Sequence, residues 1–244
     1  MSIGNFGVIE VFEDFLAPDA ALTWSSSAQR LGQVGQVSVN EGSFDHTVDE
    51  PGGILKITTD TADNDNCALY VGPFKPSDGG VVMEARFKVA DITTCALFVG
   101  FTETLDAATP VMPAEFATTT MTYNGTGGMV GLQFDSDGTT DDWRAVAGDG
   151  GAVSSNADAN GTRAYNAPVN DKFDVVRVEI DVNGTGRVYL AEDSGSLKLI
   201  KEIESAVTAS DIEHAVLMIE NRSGAASVME VDYFYAKGNR DWTQ

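Results

Sequence analysis

Three sets of residues in this chain have the types and spacing for chemistry: paired acids, a run of aspartates, and scattered histidines and tryptophans. Glu179-Ile-Asp181-Val-Asn183 puts two acids two positions apart. On a strand they share a face, the arrangement that brings carboxylates within ~5.5 Å for retaining glycoside hydrolysis. A third acid would fall at Asn183, but Asn183-Gly184 is a strong hairpin-turn signal, so the strand ends there. Arg177 alternates with the two acids, and a solvated hairpin face is the reading these residues favour. Glu230-Val-Asp232 repeats the spacing, again without a third acid.

Asp135-Ser-Asp137-Gly-Thr-Thr-Asp141 has the composition of a calcium loop, and Asp135, Asp137 and Asp141 are the metal candidates. The glycine stands fourth rather than sixth and no Glu closes the loop at twelve, so it is not an EF-hand; acidic turn residues are the default reading. His46 and His214 lie far apart with no motif around either, and the chain has no Gly-X-Ser-X-Gly, His-Glu-X-X-His or phosphate-cradling glycine loop. These residues name no catalytic group and no cofactor. Trp24, Trp143 and Trp242 are candidate sugar-stacking platforms, although isolated tryptophans more often pack at a rim or in a core.

The elements that must position these residues read as strands throughout. Cys67-Ala-Leu-Tyr-Val-Gly72 returns as Cys95-Ala-Leu-Phe-Val-Gly100; both phrases are apolar on both faces and predict interior strands covered on both sides. Between them Val81, Met83, Ala85, Phe87 and Val89 alternate with Glu84, Arg86 and Lys88, which predicts one buried face and one wet face. Further strands are expected at Val8–Phe15, 34–39, 54–59, 121–124, 129–134, 143–147, 175–182, 187–191, 197–203, 215–220 and 228–236. Residues 41–53, 104–118 and 148–167 read as turns and long loops, the middle one with room for a helical turn, and Thr208–Glu213 as a second such turn. About twelve strands without a convincing helix give an all-β, two-sheet antiparallel jelly-roll sandwich in a single domain. Residues 1–9 are expected to form an N-terminal arm, 10–238 the sandwich, and 239–244 a polar tail.

Composition narrows the function classes. Fifteen basic and 37 acidic residues leave a net charge of −22, which repels phosphates and anionic lipid, so neither nucleic acid nor a membrane is an expected partner. No apolar run is long enough to span a bilayer. The N-terminus has neither the basic start nor the apolar core of a signal peptide, from which synthesis in a cytoplasm is expected. Cys67 and Cys95 occupy equivalent places in the repeated phrase and are expected to be buried thiols near each other in one sheet.

Asp14-Phe15 followed by Trp24, with the closing Glu230-Val-Asp-Tyr-Phe-Tyr235, resembles the two ends of a concanavalin A-like (laminin G/glucanase-type) sandwich, in which the first and last strands lie side by side. Glu179-X-Asp181 resembles the Glu-X-Asp-X-Glu signature of laminarinase-type hydrolases, but the last acid is missing. Gly72-Pro-Phe, Glu84–Val89 and Phe98–Thr102 make the body similar to proteins of tailed bacteriophages. That resemblance implies a non-enzymatic virion protein, made in the host cytoplasm and carried on the capsid surface as a decoration (cement) protein. Its partners would be the major capsid protein and its own copies, as a trimer, with Ile3, Phe6, Val8 and Ile9 as docking contacts. The alternative is a carbohydrate-binding module on the head or tail that attaches to glycans; a glycan hydrolase ranks third.

Overall fold

The alternating segment at 81–89 and the two apolar phrases on either side of it end up in different sheets, facing each other across the core. A computed structural model describes residues 7–16, 29–31, 34–40, 42–47, 53–105, 110–164, 166–193 and 195–239. Its strands are β1 (Val8–Glu13), β2 (Gln29–Leu31), β3 (Val34–Ser38), β4 (Ser43–His46), β5 (Leu55–Thr58), β6 (Asn66–Phe74), β7 (Val81–Val89), β8 (Cys95–Thr102), β9 (Ala114–Ala117) and β10 (Thr120–Tyr123). They continue as β11 (Met129–Asp135), β12 (Arg144–Asp149), β13 (Ala152–Val153), β14 (Thr162–Arg163), β15 (Asp174–Ile180), β16 (Gly186–Ala191), β17 (Lys198–Ile203), β18 (Glu213–Asn221) and β19 (Val228–Asn239). Two single 3-10 turns, Pro76–Asp78 and Ile92–Thr94, are the only helical pieces among the described residues, and none is long and apolar enough to cross a membrane.

One sheet has eight strands in the order β17-β16-β15-β7-β19-β5-β4, with β1 paired to the second half of β19; we call it the outer sheet. The other has nine, β13-β12-β11-β8-β18-β6-β3-β2, with β14 on β12; we call it the lidded sheet. All the strand pairings are antiparallel. The first and last strands do lie side by side, Val8 opposite Asn239 and Glu13 opposite Phe234.

Periodicity dictates which sheet each strand can join. β7 buries Val81, Met83, Ala85, Phe87 and Val89 and leaves Glu84, Arg86 and Lys88 half-buried, so it fits a sheet with one wet face. β8 is buried at every position and β6 at most. Such strands need cover on both sides. Leu97, Val99 and Phe101 face the main core, while Ala96 and Phe98 face a second apolar layer. That layer is supplied by Met112, Ala114, Phe116, Met121 and Tyr123 on and beside the β9–β10 hairpin, which closes over the lidded sheet.

Between the sheets, Trp143 is fully buried and meets Phe87 of the outer sheet edge-on at 6.1 Å and Phe134 of the lidded sheet at 5.8 Å. Its indole N–H donates to Asp174 Oδ2 at 3.3 Å. Cys67 and Cys95 sit one strand apart in the lidded sheet, either side of β18, as buried free thiols.

Four expectations from the sequence are corrected. The turn-rich stretch 41–53 contains β4, the long loop 104–118 contains β9, and 148–167 contains β13 and β14, both paired to β12. Small and polar residues carry no hydrophobic period, yet their backbones pair where a neighbouring strand offers an edge. Ser154, within that third stretch, is buried and donates to the Ala206 carbonyl at 2.7 Å. The helical turn expected at 208–213 is absent; the segment is a turn that runs into β18 at Glu213.

Candidate functional site

The acid pairs that share a strand face are held by cations. Glu179 Oε1 accepts from Arg177 Nε at 2.7 Å, and Glu230 and Asp232 pair with Lys88 at 2.8 Å and Arg86 at 2.5 Å. Asp181 accepts from the backbone N–H groups of Asn183 and Thr185 at 2.8 and 3.1 Å. It therefore caps the Asn183-Gly184 turn, where Gly184 takes the positive φ of 84° that the turn requires.

The calcium candidates are not gathered. Asp135 is buried and its two oxygens accept from Phe116 N at 2.8 Å, Asp137 N at 3.0 Å, and Arg222 Nη2 at 2.8 Å and Nε at 3.2 Å. Asp137 stands 4.0 Å from Arg222 Nε, and Asp141 is exposed. No three acids, histidines or thiols are grouped for a metal among the described residues. Arg222 is instead the hub of a buried network that ties the lid to the sheet. Its Nη1 is 2.9 Å from Glu220, and Asn66 bridges Glu220 and the Pro110 carbonyl. Its aligned bonds go to Asp135, so burial prevails at Glu220 and holds that carboxyl above the usual carboxylate range.

His46 lies in the outer sheet and His214 in the lidded sheet. Of the tryptophans, Trp143 is core and cannot stack on a sugar, while Trp24 and Trp242 lie outside the described residues. Ile3 and Phe6 also lie outside them; Val8 and Ile9 are half-buried in β1, and Ile9 packs against the core. β1 therefore takes up the last two residues of the expected arm.

The lidded sheet offers little space, because its outward face is packed under β9–β10. The wet face of the outer sheet is open, and its register lines up one row across six strands. Phe12 of β1 is opposite Tyr235 of β19, Tyr235 opposite Glu84 of β7, Glu84 opposite Arg177 of β15, Arg177 opposite Tyr189 of β16, and Tyr189 opposite Leu199 of β17. Phe12 is 58% exposed and stacks on Tyr233 at 5.6 Å with an interplanar angle of 27°. The phenol of Tyr233 donates to Glu84 at 2.7 Å, that of Tyr235 to Glu10 at 3.1 Å, and that of Tyr189 reaches Glu179 at 3.5 Å. Burial, then the acceptor carboxylates, raise the pKa of each of these three phenols. They stay neutral donors over the ordinary pH range.

One row toward the strand ends, Lys237, Val82, Glu179 and Arg187 are opposite one another in that order. The small Val82 between longer neighbours leaves a notch of about 180 Å³, closed at the end by Gly79, Gly80, Asp181 and Asn239. Glycine is favoured at the first of these by its φ of 143°, a conformation that residues with a Cβ rarely adopt, and a Cβ there would also displace the Asn239 side chain. The face thus combines half-exposed rings with fixed donors and acceptors. Sequence reading missed it because its members come from distant strands; the one local signal is Tyr233 and Tyr235 beside the outward Glu230.

No protein-family model and no curated protein matches the sequence. Solved structures do match in fold. A protein of unknown function from Shewanella oneidensis MR-1 superposes with a TM-score of 0.59 at 13% identity, over 98% of this chain and 89% of that one. Peanut lectin gives 0.57 at 12% identity, over 94% and 97%, and the carbohydrate recognition domain of Emp47p gives 0.53 at 13%, over 97% and 99%. The fold is the lectin-type, concanavalin A-like jelly-roll sandwich. Identities this low establish the fold alone.

Proposed function

We propose that this protein is a non-enzymatic glycan-binding domain whose binding surface is the wet face of the outer sheet. The observation that carries the reading is the open row Phe12, Tyr235, Glu84, Arg177 and Tyr189. Sugars present flat apolar faces and rings of hydroxyls, and this face answers with aromatic surface and carboxylate and guanidinium groups at fixed spacing. Peanut lectin and the Emp47p carbohydrate recognition domain, whose folds the chain shares, are described as glycan-binding proteins by their names, and this supports the same class.

Binding rather than hydrolysis is favoured by the state of the carboxylates. Glu179, Glu230 and Asp232 are each paired with a cation, and Asp181 is committed to a turn. We set this reading ahead of the capsid-decoration role that the phage resemblance implies. None of the structures named above is described as a virion protein, and the virion location, the capsid partner and the trimer rest on that resemblance alone. The test is a glycan array followed by calorimetry on the hits. Binding is expected, and a Tyr189→Ala/Tyr235→Ala double variant should lose it by tenfold or more. An array without hits, or undiminished binding by the double variant, refutes the proposal.

A further inference from the structure

The open face also says how long its ligand is. We propose, building on the glycan-binding reading, that the ligand is an uncharged oligosaccharide lying extended across the strands, recognised along its interior rather than at its end.

The spacing of the stacking groups is the first argument. Phe12 and Tyr189 stand in the same row on β1 and β16, four strand intervals apart, which is about 19 Å at the interstrand spacing of antiparallel sheets. A single sugar ring cannot touch both. Tyr235 adds a ring beside Phe12, and between it and Tyr189 stand Glu84 and Arg177, which supply only hydrogen-bonding groups, so the row reads two rings, a polar pair, a ring. That is the pattern an extended chain of several sugars requires and a lone ring wastes.

Openness at the ends is the second. Among the described residues, Phe12 lies on a strand whose far edge is unpaired, and Leu199, at the other end of the row, is 51% exposed on the last strand of the sheet. A site that reads a chain terminus closes around it; this row is open at both ends, and its notch lies beside the middle. The third argument is charge. In a molecule of net charge −22, the cations Arg86, Lys88, Arg177 and Arg187 on this face are each matched to a carboxylate, and Lys237 at the notch is the one cation of the two rows without an ion pair among the described residues. A polyanion gains that single cation and meets the field of the remaining acidic surface. An uncharged chain escapes that penalty. The polar groups are also held in advance, Glu84 by the Tyr233 phenol and Arg177 by Glu179, so binding orders little.

Calorimetry with β-1,3-gluco-, β-1,4-gluco-, α-1,4-gluco- and β-1,4-manno-oligosaccharides of two to six units, together with length series of any array hit, tests this. In the series that binds, affinity should rise at least tenfold between two and six units. Phe12→Ala and Tyr189→Ala should each weaken the longest ligand about fivefold and the disaccharide by less than twofold, while Tyr189→Phe, which keeps the ring, should lose less on the longest ligand than Tyr189→Ala. A disaccharide that binds as tightly as the hexamer, or a hexamer indifferent to both alanine variants, overturns the extended mode and leaves the glycan-binding reading standing. A preference for uronate or sulfated chains over neutral ones overturns the charge argument. No binding to any series or array glycan removes both.

Discussion

Glu213 is fully buried, neither carboxyl oxygen has a hydrogen-bond partner, and Glu103, Asp211 and Asp149 are close enough to act on it. Burial, reinforced by those three acids, pushes its pKa from 4.5 up to about 9. The unfolded chain ionises this group near 4.5 and the folded one does not, so folding takes up a proton at every pH between those values. The sign follows: the group favours the fold fully below pH 4.5, and that contribution is lost as pH rises toward 9, at about 1.4 kcal/mol per unit. Glu213→Gln keeps the shape and removes the titration. Relative to the parent, the variant should gain less than about 1 kcal/mol at pH 5 and about 4–5 kcal/mol at pH 8, on top of a constant offset for the changed group. Urea unfolding of both proteins at pH 5, 6.5 and 8 reads this directly. Glu220 and Asp174, which also titrate above their usual range, are common to both and drop out of the difference. A stability difference that stays the same across the three pH values refutes the reasoning.

Arg222→Ala should cost about 3–5 kcal/mol, because it leaves Asp135 and Glu220 buried without their cation; equilibrium unfolding measures it. Trp143→Ala should cost about 3–5 kcal/mol by opening the centre of the core, with glycan affinity of the folded fraction unchanged, checked by thermal melting beside calorimetry. Gly100→Ala should destabilise by about 3 kcal/mol or prevent folding, since its Cβ would stand 2.3 Å from the Val130 carbonyl oxygen and 2.5 Å from Gly131 Cα; expression yield and melting temperature report it. Cys67 and Cys95, with thiols pushed up to about 12 chiefly by burial, should resist a thiol reagent at pH 8 in the native protein and react fully in denaturant.

The layers were legible wherever side chains carried a period. Val81–Val89 declares one wet face, and the phrases at Cys67 and Cys95 declare none, which is enough to separate the outer sheet from the lidded one. The Asn183-Gly184 hairpin was readable because its signal is local. The lid strand Ala114–Ala117 and the two short strands at 152–153 and 162–163 were not, since two to four residues are too few to show a period and they join the sheet through backbone bonds.

For the site the division is sharper. Sequence alone determined which way Glu84, Arg177 and Tyr189 point, because the strand period is two and Ala85, Val178 and Val188 fill the core; on the last strand an irregularity between Val231 and Tyr233 shifts that period and turns Tyr233 and Tyr235 to the same face as Glu230 and Asp232. Tertiary structure decided which strands stand next to which and in what register. Those are non-local choices, set by how two apolar layers close together, and a shift of one residue would send the whole row inward. The same closure put Trp143 at the centre instead of on a surface, and sealed Glu213 away from water near Glu103 and Asp149, residues distant from it in the chain.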